Sequence, residues 1–294
     1  MVFVKDLGAP ETPRLLPDES AWLCVEMAGE RGCATWISLD GKEVRRIART
    51  GRPNGLTVDK ENIIWVAETY PTPSLVRVTL DGDVSVFSTG PEDEPFLFPN
   101  DLCFDPDGAL YMTDSGILLD DWAPGGQLRP DWKVAQFDGR VYRIDLDSKQ
   151  IFKLDSGLKF TNGICYGPDD YLYANEMITG NIYRYKLKKG DVVPERETFG
   201  NVMDPEWGSE GFRGPDGMNF GADGNLYCSV FGQGDVTVFG KEGEVIKRIK
   251  TEGVLPTNVA FGPGGETRLY VTENEFGQIE VFDVDTTSGK LFYG

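Results

Sequence analysis

One phrase recurs six times along this chain, and it restricts the possible fold more than any other feature. Residues 52–69 read RPNGLTVDKENIIWVAET, 98–115 read FPNDLCFDPDGALYMTDS, 160–177 read FTNGICYGPDDYLYANEM, and 214–231 read GPDGMNFGADGNLYCSVF. PTNVAFGPGGETRLYVTEN at 256–274 and PETPRLLPDESAWLCVEM at 10–27 complete the set, the latter with its polar residue displaced by one position. Each copy holds an apolar run, a turn such as Asp107-Gly108 or Asp223-Gly224, and a second apolar run. That is the pattern of a β-hairpin.

A third strand follows each hairpin, alternating apolar with polar residues as a half-buried strand does. Examples are GRVYRIDL at 139–146, GNIYRYKL at 180–187 and GQIEVFDV at 277–284. A fourth follows in EVRRIAR at 43–49, VSVFSTG at 84–90, IFKLDSG at 151–157 and EVIKRIK at 244–250, with a poorer one near 195–201. The head residues of the hairpins step along the chain by 43, 46, 62, 54 and 42 residues. Four strands per unit at that period predict an all-β, six-bladed β-propeller built as a single domain over residues 1–294. The last unit lacks a fourth strand of its own. MVFVKDLG at the N-terminus resembles the fourth-strand phrases, so it is expected to close the ring as the outer strand of the last blade and remove an exposed seam. The long steps place insertions at 115–139 and 201–214, both carrying Trp, Pro and Gly. Long loops in a compact fold usually serve function.

Composition excludes several kinds of chemistry. The 294 residues contain no histidine, so no Ser-His-Asp triad, Cys-His pair or His-ligated zinc is available. A net charge of −19, from 48 acidic against 29 basic residues, argues against nucleic acid and anionic membrane as partners. The five cysteines form no CxxC and read as buried thiols of a reducing compartment. The N-terminus has neither a basic region nor a long apolar one, and no apolar run reaches membrane-spanning length. A cytoplasmic protein is expected; the oligomeric state is left open.

In a propeller the first strand of each blade lines the central tunnel. The six head positions read Glu11, Asn54, Asn100, Asn162, Asp216 and Asn258, every one an oxygen donor. Pro-Asn-Gly and Pro-Asp-Gly are also turn formers, which is a purely structural reason for Asn or Asp there; Glu11 does not fit that reason. Two carboxylates and several amide oxygens around one axis make a hard site for one divalent cation. Ca²⁺ is the first choice, with Mn²⁺, Mg²⁺ or Zn²⁺ as alternatives, although zinc usually takes His or Cys.

The motifs Glu11-Thr12-Pro13, Pro99-Asn100-Asp101, Thr161-Asn162-Gly163 and Pro215-Asp216-Gly217 resemble the gluconolactonase and senescence-marker-protein (regucalcin-like) family, over essentially the whole chain. More distantly the chain is similar to phosphotriester-cleaving propellers with a central calcium, which also use a His. The resemblance implies Glu11, Asn100, Asn162 and Asp216 as metal ligands, Asp216 and Glu11 as catalytic groups with Asp216 the general base, and a lactone or related ester as the small-molecule substrate. The family usually carries Glu-Gly-Pro where this chain has Glu-Thr-Pro. Its sugar-acid lactonases tend to carry an Arg two residues before the second of these ligands; here that residue is Phe98, which points to a substrate with an apolar part. Candidate substrate contacts are Asn54, Phe98, Asn100, Trp122, Phe231 and Asn258, with Trp132 and Phe212 as further walls. Glu26, Glu68, Asp114, Glu176 and Glu273 end or follow second strands and are read either as a supporting shell or as loop-bonded carboxylates. The alternative function is a binding scaffold with a structural cation, or a phosphotriesterase-like hydrolase.

Overall fold

The computed structural model describes residues 1–28, 32–187, 195–208 and 211–294. Residues 209–210 of the 201–214 insertion lie outside the described residues. Six four-stranded antiparallel sheets follow one another along the chain as blades 1 to 6. Their innermost strands are Pro10–Leu15, Pro53–Val58, Pro99–Phe104, Thr161–Tyr166, Gly214–Phe220 and Pro256–Phe261. Adjacent innermost strands touch all the way round, including the first with the last, so the six blades form a closed six-bladed β-propeller.

Closure works as the sequence predicts. Val2–Val4 pairs with Gln278–Asp283, Val2 opposite Glu280, and supplies the fourth strand of blade 6. Phe3 packs edge-on against Tyr270 of blade 6 at 5.1 Å and against Trp22 of blade 1 at 6.4 Å.

Each blade is too thin to bury both faces alone, and the apolar core is divided among the spaces between blades. Leu23, Val25 and Ala34 of blade 1 meet Leu56, Ile64 and Val76 of blade 2. Ala67 and Leu75 of blade 2 meet Leu102, Met112 and Tyr142 of blade 3, and the pattern continues to the contact of Ala260 and Ile279 with Leu15 and Ile37. The hairpin turns are held by one repeated device. Asp59 accepts the Ile63 amide at 2.9 Å and Trp65 Nε1 at 2.8 Å, while Asp105 accepts the Ala109 amide and the Tyr111 hydroxyl. Tyr173, Tyr227 and Tyr270 donate in the same way to Asp169, Asp223 and Glu266. In blade 1 the corresponding Trp22 Nε1 has no hydrogen-bond partner among the described residues.

The C-terminal segment crosses the face on which these turns lie. Phe292 stacks on Tyr166 at 5.5 Å, and Tyr293 accepts the Lys60 amide through its carbonyl at 2.6 Å. All five cysteines are buried free thiols. Among the described residues no helix is long and apolar enough to cross a membrane.

Deleting residues 1–5 removes the closing strand and the Phe3 ring contacts. It is expected to cost roughly 3–5 kcal/mol and to lower the melting temperature by roughly 10 °C. An unchanged circular-dichroism melt would show that the ring is held shut by other contacts.

Candidate functional site at the tunnel mouth

Every innermost strand shifts register against its neighbour at its start. The shift falls between Pro53 and Leu56, between Pro99 and Leu102, between Thr161 and Ile164, and at equivalent places in the other blades. In blades 2 to 6 these bulges leave the head residue out of the ladder, whereas Glu11 of blade 1 stays paired with Val25. The Asn and Asp heads lie inside strands, so the turn-former reading of Pro-Asn-Gly is set aside.

Register corrects two assignments. Pro10 pairs with Glu26 as Pro53 pairs with Glu68, which puts Glu11 level with Asn54 and not one position off. Pro256 pairs with Glu273 and Ala260 with Tyr270, so the head of blade 6 is Thr257 and Asn258 lies one step deeper. The phrase at 256–274 is one residue longer than its siblings, which hides this offset. Asn258 belongs to a second ring with Thr12, Gly55, Asp101, Gly163 and Gly217. Its amide reaches Glu11 Oε2 at 3.2 Å, Thr12 Oγ1 at 3.3 Å and, across the axis, Asp101 Oδ2 at 3.5 Å. Its side chain therefore buttresses Glu11 from below.

The glycines of this second ring serve close approach. A Cβ on Gly217 would sit 1.9 Å from Asn258 Cγ, one on Gly163 2.2 Å from the Asp216 carbonyl, and one on Gly55 2.5 Å from the Asn100 carbonyl. Neighbouring heads are then stapled from the second strands. Asn175 Nδ2 donates to the Asp216 carbonyl at 2.6 Å, Ser229 Oγ to the Thr257 carbonyl at 2.7 Å, and Thr113 Oγ1 to the Asn162 carbonyl. Thr257 Oγ1 passes the chain of staples on to the Pro10 carbonyl at 2.8 Å.

Thr12 stands where a glycine would be at ease. Its φ of +47° is rare for a β-branched residue. Its hydroxyl donates to Glu11 Oε2, which compensates for the strained backbone by orienting that carboxylate.

Asp101, directly after Asn100, was missed from the sequence. The signal was present: three sibling phrases place Gly at that position. Glu11, Asp101 and Asp216 are all buried. Burial, then the charges of Asp216 and Asp101, push the Glu11 carboxyl well above its usual range. Burial, then Asp101, do the same to Asp216. Burial raises Asp101 to about 6, opposed by the Leu102 amide and the Arg14 guanidinium. Arg14 lies three residues down the first innermost strand from Glu11, and among the described residues its Nε has no hydrogen-bond partner. Three carboxylates against one guanidinium leave a charge of two to be balanced.

The residues fit a hard divalent cation by donor chemistry. Glu11 takes its hydrogen bonds on Oε2 and keeps Oε1 free of protein donors. Asn100 donates through Nδ2 to Ser115 Oγ at 2.9 Å, Asn162 donates to Met177 Sδ at 3.5 Å and to the Asp216 carboxylate, and each has an amide oxygen to offer a cation. Among the described residues, Asp, Glu and Cys side chains do not by themselves form a group of three able to hold a metal, so amide oxygens must complete any such set.

The carboxylates at the ends of the second strands are loop latches. Glu26 accepts the Gly8 amide, Glu68 that of Arg52, Asp114 those of Leu97 and Phe98, Glu176 that of Lys159 and Glu273 that of Leu255. Each holds the segment leading into an innermost strand. Above the heads, the 115–139 insertion contributes a short helix, Leu119–Trp122, to an apolar canopy. Trp122 stacks on Phe160 at 4.6 Å and Phe212 at 5.3 Å; Phe98 meets Phe160 at 5.6 Å and Phe231 meets Phe212 at 6.0 Å. Phe98 and Trp122 are buried in this cluster, whereas Phe231 is half-buried at its edge.

Fold and mouth together define a class, the six-bladed propellers with a polar site on the axis. Within it, a family model described as SMP-30/Gluconolactonase/LRE-like region matches residues 9–275, and the chain belongs to that family. A gluconolactonase of Zymomonas mobilis is 30% identical over 220 residues, covering 73% of this chain and 59% of that protein. A lactonase drp35 of Staphylococcus haemolyticus is 27% identical over 201 residues, covering 66% of this chain and 54% of that protein. The chain thus spans less than two thirds of either relative. Among solved structures, a gluconolactonase of Xanthomonas campestris superposes with a TM-score of 0.77 at 23% identity, covering 95% of this chain and 87% of its own. A calcium-binding regucalcin of Agrobacterium tumefaciens gives a TM-score of 0.77 at 18% identity, covering 100% and 99%. These two superpositions speak for the fold.

Two outcomes are expected. Gly163→Ala should destabilise the protein by at least about 2 kcal/mol, measured by denaturant unfolding, whereas Gly208→Ala, with nothing within 4 Å of its added methyl, should be neutral. The tunnel carboxyls have folded-state pKa values above their unfolded ones, so their contribution is complete below about pH 4 and is lost as pH rises through about 6 and beyond. The melting temperature of chelated protein should therefore fall more steeply between pH 5 and 8 than that of the Glu11→Gln/Asp216→Asn variant. Parallel profiles would count against a crowded carboxylate cluster.

Proposed function

We propose that this chain is a metal-dependent hydrolase that opens a lactone, or a related ester, at the mouth of the central tunnel. The ring of blades, residues 1–294, acts as one domain. What supports the reading is the electrostatic contact of buried Glu11 with Asp216, the hydrogen bond of Asn162 to Asp216 and the equivalent strand position of Asn100, in a chain of the SMP-30/gluconolactonase family. Those four side chains would hold one divalent cation, Ca²⁺ first. The regucalcin neighbour, named as calcium-binding, supports that choice. When bound, the cation supplies Lewis acidity, polarising a carbonyl and lowering the pKa of water.

The residues of the chain do the rest. Asp216 takes the proton of the attacking water; its carboxylate is buried beside Glu11 at the mouth. The water oxygen bonds to the carbonyl carbon, the ring C–O bond breaks, and the proton passes to the leaving alkoxide, giving the hydroxy acid. Glu11, fixed by Thr12 and Asn258, keeps its free oxygen aimed at the site. Glu26, Asp114, Glu176 and Glu273 have both carboxylate oxygens hydrogen-bonded, which removes them from competition for the role of base, whereas Glu68 engages only Oε1. Asn54 and Asn100 line the rim, and the canopy of Phe98, Trp122 and Phe231 excludes water and favours an apolar substrate portion. Five buried thiols suit a reducing compartment, in keeping with a cytoplasmic location.

Asp216→Ala is expected to lower kcat/KM on lactones by roughly 10³-fold or more, with the circular-dichroism spectrum retained. Exhaustive chelation should abolish turnover, and Ca²⁺ or Mn²⁺ should restore it. Full activity after chelation, or no turnover across a panel of polar and apolar lactones with any cation, would sink the reading.

A further inference from the structure

The canopy contains a cation that the proposed chemistry leaves unused. Arg52 precedes Pro53–Val58 and stands two residues before Asn54. Its backbone is pinned, the amide donating to Glu68 Oε1 at 2.6 Å and to the Tyr70 carbonyl at 3.0 Å. Its side chain reaches across to blade 3 and sets the guanidinium carbon 5.8 Å from the centre of the Phe98 ring. Arg52 stands two residues before Asn54 as Phe98 stands two before Asn100, so the guanidinium of blade 2 faces the ring that holds the equivalent place in blade 3.

A guanidinium carries several donors in a rigid fork. The hydrogen bond made by this one to another side chain runs from Nη1 to Thr69 Oγ1 at 3.2 Å. Glu68 is the charged group that acts on it, yet among the described residues no carboxylate lies within ion-pair distance of it. Glu68 Oε1 is taken by the amides of Arg52 and Tyr70, while its buried Oε2 has no hydrogen-bond partner among the described residues and lies beyond ion-pair distance of the guanidinium. A half-buried cation in this state is short of an anion, and desolvated charge without a partner is costly. A substrate hydroxyl would bring no charge. A carboxylate matches the fork with two parallel bonds and neutralises it.

We propose that Arg52 sets the specificity of the site by taking the carboxylate of a lactone whose hydrocarbon body lies along Phe98, Phe160 and Trp122. The inference rests on the lactonase reading and narrows its substrate class to lactones with a pendant carboxylate on an apolar scaffold. The electrophilic ring carbonyl and the carboxylate then occupy different ends of the site: the ring at the head residues, the carboxylate at the rim of blade 2.

The test uses three matched probes: γ-phenyl-γ-butyrolactone, its para-carboxylate derivative, and the methyl ester of that derivative. Calcium-loaded wild-type protein, Arg52→Met and Arg52→Lys are compared by steady-state kinetics and by calorimetric binding. Wild type should favour the carboxylate over its methyl ester. Arg52→Met should lose roughly 10- to 100-fold in kcat/KM on the carboxylate, mostly through KM, and leave both neutral lactones unchanged. Arg52→Lys should recover part of the loss. Equal losses on charged and neutral probes, or no preference of wild type for the carboxylate, would overturn the role of Arg52 while the lactonase reading stands. Should wild type turn over none of the three, the lactonase reading fails, and calorimetry alone decides Arg52: selective loss of carboxylate binding in Arg52→Met upholds it, and unchanged binding overturns it.

Discussion

Direct contact between neighbouring innermost strands at their bulged ends is the constraint on which the rest of this structure depends. The backbone of the next head leaves no room for a Cβ on Gly55 or Gly163, and the Asn258 side chain leaves none on Gly217. Carbonyls released by the bulges are then captured by Thr113, Asn175 and Ser229 of the preceding blade. The site is thus not built on any one blade. It is a property of the seams, and each head is positioned by its neighbour.

This arrangement makes a narrow tunnel whose occupants are in electrostatic tension. Glu11, Asp101 and Asp216 are buried together, Asp216 and Asp101 raising Glu11 and Asp101 raising Asp216, while Arg14 offsets part of the Asp101 charge from below. Such crowding is unfavourable for an isolated fold. A divalent cation held there as proposed would relieve it and would couple binding to stability. The latching carboxylates show the opposite use of the same chemistry. Asp114 is also fully buried, but three backbone amides satisfy it and it has no need of a counter-ion.

Much of the fold was legible because each blade repeats a local pattern. Alternation gave the strands, Asp-Gly turns the hairpins, and the missing outer strand of the last blade its replacement by Val2–Val4. The candidate site was legible only in part. Glu11, Asn100, Asn162 and Asp216 stand where the repeat places them, but Asn258 was put one level too high, because a one-residue offset changes which ring a side chain joins. Asp101 was overlooked because it sits where its siblings have glycine. Arg52 was overlooked because its importance arises from Phe98, 46 residues away in a different blade.

The sequence by itself determined the number of blades, the strands within each and the residue types offered to the axis, since these depend on local periodicity and turn chemistry. Only the tertiary structure decided which residues share a level, which carboxylates are spent on amides, and which cation stands against which ring. Those relations join blades that are far apart in the chain. They exist only when closure of the ring brings bulges and loops into register, and no local pattern encodes the distance between two seams.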